Sequence, residues 1–478
     1  MLRRINTGLH LAVLALLVVA APYNATQLLQ IAVCMLACWA ATFIAASPKI
    51  VRDEPHKFGL LTAVITLYFI GYLTKFGLAL YLSEDFWVVP RLISSKALIS
   101  ELPAAYLVTT VGYVSVLTGI LAIPSKKNFT REVPEFQVHF SLIVSLLCGA
   151  YVVKLFLKIQ YSLAIPSVEP QNMGIPYLAG VLSLVIDTGM IFPANTPLIF
   201  GLMRGRFSWA AIGIVLAFGN AGIDLLFGSK DTVIYQIIIC AILFYATYRG
   251  PHLQMPKARR LVKSLAVPTG VLGLAVLIAY PLMNSYRFAR ISGLSFTSAV
   301  TSAVTGANYD DANPILSVYN RITGIEVMTA LMNTRNYLAS DSILQNLLST
   351  ELVANIAYQV IGVEQSQTRF SVTQMGYFYV VGGYPTLIIG CLLIGVFFCL
   401  AQEIALRFPV QKVMIVAFIP VLWILAAKLL LGGGNLTLAL KELLIVMLVF
   451  LGWGWLACRP KRASQSRARS RPMPKLQA

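Results

Sequence analysis

The residues able to do chemistry gather in one polar stretch, 284–374, that interrupts a nearly continuous series of apolar segments. It carries Arg287, Arg290, Arg321, Arg335 and Arg369 together with Asp310, Asp311, Glu326, Glu351 and Glu364. Guanidinium groups in such number suit a polyanion, because each offers planar, permanently charged donors to phosphate oxygens. The carboxylates offer a place for a proton. His10, His56, His139 and His252 all lie outside the stretch. In place of histidine the base must therefore be a carboxylate, with Glu326, Asp310 and Asp311 accessible and Asp187 and Asp224 in apolar segments behind them, or the substrate must assist its own reaction. No cluster has metal-ligand spacing, and the adjacent Asp310 and Asp311 point apart. The site is expected to need neither metal nor cofactor.

The elements that must position these groups read as membrane helices. The 478 residues are 58% hydrophobic and 12% charged, with a mean hydropathy of +0.76, the composition of a polytopic membrane protein. A span needs roughly twenty mainly apolar residues. That ruler gives about twelve, near 6–22, 26–46, 58–82, 103–124, 137–159, 176–203, 207–227, 232–248, 262–283, 376–402, 410–431 and 436–457. The first is read as a retained span and not a cleaved signal peptide. The sixth contains Pro193 and Pro197, and a kink is expected there. The chain thus divides into a bundle of about nine helices (1–283), the large polar loop (284–374), about three further helices (376–457) and a basic tail (458–478), expected to be disordered. The fold class is an all-α polytopic membrane protein with one large, mainly helical outer loop.

The formal charge of +18 is placed to orient such a bundle, not to bind nucleic acid. With both termini inside, Arg3 and Arg4, Lys49, Arg52 and Lys57, Lys126, Lys127 and Arg131, Arg204 and Arg206, the run from Arg249 to Lys263, Arg407 and Lys412, and the tail all fall in inner segments. These hold most of the 37 Lys and Arg, which puts the polar loop outside. The tail also suits anionic lipid headgroups. Lys75, Lys154, Lys158, Asp224, Lys428 and Lys441 fall in the outer halves of their spans. They are expected either to line an electropositive outward vestibule or to snorkel to headgroups. Seven cysteines lie in apolar runs or at their ends, so neither a disulfide framework nor a thiolate zinc site is expected. Cys34 and Cys38 read as small buried residues.

Within the loop, Pro314 to Tyr337 reads as a helix with a broken apolar face at Ile315, Val318, Ile322, Ile325, Leu331 and Met332. On one continuous helix Arg321 and Arg335 share a face, about 40° apart, whereas Glu326 sits about 140° from Arg321 and cannot pair with it. Asp341 is placed to cap a second helix, Ser342 to Gln359. There is no GxxxxGK[ST] and no inner loop long enough for a nucleotide-binding unit, which excludes a self-contained ATP-driven transporter.

Three stretches carry a family resemblance. Gly228-Ser229-Lys230, a basic outer turn, resembles the Gly-Ser-Arg turn of Wzy-type oligosaccharide repeat-unit polymerases, with Lys in place of the usual Arg. Asn320-Arg321-Ile322-Thr323-Gly324-Ile325-Glu326 resembles the arginine-bearing helix of that family's periplasmic loop. The segment from Gly376 to Pro385 is similar to the aromatic and glycine-rich start of its following span. The resemblance implies a glycosyltransferase in the bacterial inner membrane, polymerising or, as an O-antigen ligase, transferring undecaprenyl-pyrophosphate-linked oligosaccharide, with membrane lipids and a polysaccharide chain-length regulator as further partners. It implies Arg321, Arg335 and Glu326 as catalytic residues, Glu326 being the general base. Lys230, Arg287, Arg290, Arg369 and Tyr377 would bind substrate or pyrophosphate, Tyr377 and Tyr379 by stacking on sugar rings. A flippase of lipid-linked oligosaccharide and a non-catalytic assembly protein are the readings from other classes.

Overall fold

A computed structural model describes residues 2–20, 23–82, 95–124, 136–138, 140–164, 173–174, 178–227, 231–249, 256–278, 324–332, 341–348, 373–407, 418–426 and 436–460, with a few single positions between them. In chain order the helices are α1 (Leu2–Ala20), α2 (Ala25–Ala45), α3 (Pro48–Asp53), α4 (Pro55–Tyr68), α5 (Lys75–Leu82) and α6 (Ser95–Ala122), then α7 (Phe140–Tyr161), α8 (Leu178–Leu184), α9 (Ile191–Arg204), α10 (Phe207–Leu226), α11 (Asp231–Arg249) and α12 (Pro256–Ile278). After these come α13 (Ile325–Met332), α14 (Ile343–Leu348), α15 (Gln374–Arg407) and α16 (Leu436–Ala457). Wide π-helical turns at Phe69–Thr74 and Val185–Gly189 join α4 to α5 and lead from α8 towards α9.

Among the described residues, eight helical runs are long and apolar enough to cross a membrane. They coincide with the expected spans up to 207–227 and with 376–402. The other four expected spans fall on α11, α12, a helical stretch at 418–426, and α16. The outer face of the bundle is apolar, and charged side chains lie among the apolar ones inside it. Along α7, Val152, Val153, Phe156 and Ile159 are exposed while Lys154 and Lys158 are buried. Only a surround of lipid makes that arrangement favourable.

Proline leaves its mark where a carbonyl loses its donor. Pro103 inside α6 has no N–H for the carbonyl of Ile99, four residues earlier, and the Tyr23 hydroxyl donates to that oxygen instead (3.1 Å). In the sixth expected span the irregularity lies upstream of the prolines, at Val185–Met190. Pro193 denies a partner to the Gly189 carbonyl, and the helix loosens into a π-turn before it. Cys34 and Cys38 are buried; Cys38 Sγ meets the Tyr68 hydroxyl at 2.9 Å, and Tyr68 stacks on Tyr113 with centroids 3.8 Å apart.

One expectation is corrected. The tail does not begin as a free segment: β2 (Cys458–Pro460) pairs antiparallel with β1 (Phe136–Val138), so the end of α16 and the start of α7 lie at the same end of the bundle. Residues 461–478 lie outside the described set. The span expected at 376–402 is present and carries a break that its hydropathy does not show. At Gly382 and Gly383 the backbone leaves the helix, Gly383 with φ +68°. In a straight helix Met375 and Leu387 would lie about 18 Å apart. Here a Cβ on Gly112 of α6 would touch both, at 2.9 and 3.3 Å, and one on Gly390 would run into the Phe378 ring. The two arms, 374–381 and 384–407, are therefore folded back on each other.

The long arm crosses α6 at backbone contact. A Cβ on Gly119 would collide with the Leu392 carbonyl oxygen, and one on Gly395 with that of Val116. Gly119→Val is therefore expected to destabilise the fold by roughly 3 kcal/mol. Gly149→Ala, which meets nothing within 4 Å, should behave as wild type. Thermal denaturation in detergent, followed by size-exclusion of the surviving protein, checks both.

Candidate functional site

Among the described parts of the polar loop, two short helices meet the bundle: α13 enters it, and α14, with Asn346 as its one buried residue, lies against α15 and α16. The first, α13, is expected from the sequence to show one apolar face. It is instead buried all round, with Ile325, Val327, Met328, Thr329, Ala330, Leu331 and Met332 all enclosed. It packs against α5, α6 and α15. Its first turn abuts the π-turn of the third span, where a Cβ on Gly324 would strike the Gly71 carbonyl and come within 3.1 Å of Lys75 Cδ. Only glycine allows that approach. Lys75, expected to line a vestibule or snorkel, is buried (1% exposed), and it has interaction partners.

The short arm of α15 packs on the other side of α13. Its cap is Thr373, whose hydroxyl oxygen accepts from the Gly376 N–H (3.1 Å) and lies 3.3 Å from Met328 Sδ. A Cβ on Gly376 would press into Leu331 and Met328. Tyr377 is buried, and its hydroxyl donates to the Asn346 carbonyl of α14 (2.5 Å). Its ring therefore offers no open face for a sugar, and the residue acts as a brace between loop and span. Tyr379 stands edge-on to Tyr384, with centroids 5.3 Å apart. The cap of α14 is Ser342, not Asp341: the Gln345 N–H points to Ser342 Oγ at 3.4 Å.

Of the other site candidates, Glu326 is in the first turn of α13 by its backbone, and its side chain lies outside the described set. Arg321, Arg335, Lys230, Arg287, Arg290 and Arg369, together with Asp310 and Asp311, lie outside it as well. Gly324 follows Arg321 by three positions and is fixed at Lys75, and three residues of chain reach about 10 Å at most.

A second polar cluster joins α7 to α10. Asp224 Oδ1 lies 2.7 Å from Lys154 Nζ and 3.2 Å from Lys158 Nζ, and all three side chains are fully buried. Lys154 also donates to Asn220 Oδ1 (2.8 Å), and Lys158 donates to the Ala164 carbonyl (3.1 Å). That second bond fastens a turn in which Ser162 and Ala164 both have φ +53°, a conformation that L residues adopt at a cost. Asp187, in the π-turn Val185–Gly189, adds a second negative charge within electrostatic reach of Lys154 and Asp224. These lysines neither open to a vestibule nor snorkel; they are neutralised in place. The signal for this was in the sequence. Lys154 and Lys158 are four apart in one span, and Asn220 and Asp224 four apart in another, so each pair occupies one helix face.

Asp224→Ala would leave two ammonium groups buried without their counter-charge. The expected loss is roughly 3–5 kcal/mol. Replacing Lys154 and Lys158 by Met and Asp224 by Leu together should recover most of it. Melting temperatures of the single and triple variants in detergent decide the point.

Comparison with known protein families, curated proteins and solved structures gives no match.

Proposed function

We propose that the chain is a membrane glycosyltransferase that polymerises undecaprenyl-pyrophosphate-linked oligosaccharide repeat units at the outer face of the bacterial inner membrane. The full topology in this reading is about twelve spans, both termini in the cytoplasm, and the polar loop 284–374 in the periplasm. The acceptor's hydroxyl oxygen attacks the anomeric carbon of the donor glycan. The bond from that carbon to the lipid pyrophosphate breaks, the pyrophosphate keeps the electron pair, and Glu326 takes the hydroxyl proton. Because pyrophosphate is already a good leaving group, the protein's task is to place two large substrates and to stabilise negative charge. Arg321 and Arg335 are assigned to that charge, with Lys230, Arg287, Arg290 and Arg369 on the pyrophosphate. A chain-length regulator is the expected partner protein.

The observation that carries this reading is the insertion of α13 into the bundle beside Lys75. In this reading a polar, arginine-bearing loop anchored at both α13 and Thr373 is held against the membrane-embedded helices, where a lipid-borne donor must be met. The tertiary contacts add one point to the sequence argument. Arg321 and Glu326 flank Gly324, so the tight seat of Gly324 against Gly71 limits how far both can stray.

The buried Lys154–Asp224–Lys158 cluster favours a second reading, a flippase of the same lipid-linked glycan, since ionisable groups inside a bundle often mark a transport path. Complementation of a polymerase-deficient host separates the two. Wild type is expected to restore a ladder of surface glycan. Arg321→Ala, at equal membrane level, is expected to collapse it to single repeat units, a loss of at least about 100-fold in polymer if one charge-stabilising contact is removed. Accumulation of lipid-linked units on the inner leaflet when the native gene is deleted would establish the flippase instead.

A further inference from the structure

The depth at which the polar loop meets the spans can be counted along the helices. At one end of the bundle Lys57 Nζ donates to the Ile123 carbonyl (2.6 Å), which sets the start of α4 level with the end of α6. Gly112 lies ten positions before Ala122, the last residue of α6, which is about 15 Å along the axis. A Cβ on Gly112 would touch Met375 at 2.9 Å. The first turn of the short arm therefore lies near the middle of a hydrocarbon core about 30 Å thick. Gly71, the seat of Gly324, is fourteen positions from Lys57, or about 21 Å from the same end. Both points are inside the core.

One hydrogen bond ties α14 to that level. Tyr377, two positions after Met375, donates to the Asn346 carbonyl, so α14 is held within one side chain's length of the short arm. Its polarity is the reverse of a helix in water. Asn346 is buried (1% exposed), while Ile343, Leu344 and Leu348 are 52, 66 and 56% exposed. Leu344 and Leu348 lie about 40° apart round the axis, and the exposed Ser342 and Gln345 take the other flank. The bundle occupies the side of Asn346 and Leu347. The aliphatic flank has a continuation in the span that α14 touches, because α16 exposes Leu440, Leu444 and Leu448 at intervals of four. The same inversion marks α7, with its valines outside and its lysines within.

Depth and inverted polarity together name what covers this face. Single exposed leucines on a protein in water carry no message. Three on a six-residue helix that encloses its asparagine, fixed beside the middle of a membrane, do. We propose that Ile343, Leu344 and Leu348 form a contact surface for the acyl chains of bilayer lipids, so that α14 is seated in the leaflet away from the Lys57–Ile123 contact. The flank of Ser342 and Gln345 then faces the headgroups and water, as in other helices that lie at a membrane interface. The inference goes beyond the glycan-transfer reading and does not depend on it. Whether the chain polymerises or translocates, its polar loop is partly embedded in lipid, and a lipid-borne substrate reaches it by moving sideways through the leaflet.

A nitroxide spin label on Leu344→Cys tests the assignment. The full-length protein carries Cys148→Ser and Cys458→Ser, the other five cysteines being buried. It is reconstituted in vesicles of phosphatidylethanolamine and phosphatidylglycerol, without polyprenyl lipid. Relaxation of the label by oxygen, which concentrates in hydrocarbon, is compared with relaxation by a nickel chelate confined to water. Val153→Cys, on the exposed face of α7, sets the value for lipid, and the exposed Lys49→Cys sets the value for water. At Leu344→Cys the oxygen effect is expected to exceed the chelate effect, as at Val153→Cys. If Leu344→Cys does not reach the membrane, Leu348→Cys is read the same way. A chelate effect equal to or above that of oxygen puts α14 in water and overturns the proposal. A label shielded from both means that protein covers the face, which also overturns it. So does an oxygen effect that appears only after lipid-linked oligosaccharide is added, since the occupant is then the substrate's own chain.

Discussion

A charge inside a hydrocarbon layer has no solvent to turn to, and the carboxylate of Asp224 is where this chain meets that constraint most directly. It holds two ammonium groups, and through them the turn at Ser162–Ala164 and the side chain of Asn220 are tied to one point between α7 and α10. The same rule governs the smaller polar contacts. Tyr23 serves the carbonyl that Pro103 abandons. The Asn195 and Gln236 amides bond reciprocally at 3.0 and 2.7 Å, and the Trp453 indole N–H reaches Thr196 at 3.1 Å. Each links two helices that lipid alone would leave free to slide, because hydrocarbon supplies no hydrophobic force between apolar helices.

Irregular backbone obeys the same rule and needs protein around it. The π-turn at Phe69–Thr74 and the seat of Gly324 against Gly71 lie where helices close over them. Backbone at membrane depth can leave the helix only when other chain segments replace the missing partners or enclose them. This is why the part of the polar loop seen to enter the bundle among the described residues does so as a helix, α13. It also explains the glycines at the contact points, where a side chain would hold the backbones apart.

Where the described part of the polar loop meets the bundle, the neutral polar groups Thr373, Gln374 and Asn346 are enclosed. In a water-poor site a few well-held groups act more strongly than many mobile ones, because they need no reorganisation when charge develops. Lys75 lies at the first turn of α13.

Composition, apolar run lengths and the placement of Lys and Arg were enough to read a helical membrane protein from this sequence, and the ends of α7, α10 and α16 follow from hydropathy alone. Those features are local, since each residue's transfer cost counts without reference to its neighbours in space. The polar loop was legible as the place to look for chemistry, for the same reason. Its path was not. Ile325–Met332 has an apolar pattern compatible with a surface helix, and only its contacts with α5, α6 and α15 make it a buried one. Tyr377 reads equally well as a sugar platform or an interfacial anchor, and the carbonyl of Asn346 decides that it is a brace. Lys154 and Asp224 stand seventy positions apart, so their pairing depended on which helix faces meet. The sequence alone determined which segments enter the membrane. Which polar groups they share there was decided by tertiary packing, because partners in a low-dielectric interior are chosen by proximity in space and not along the chain.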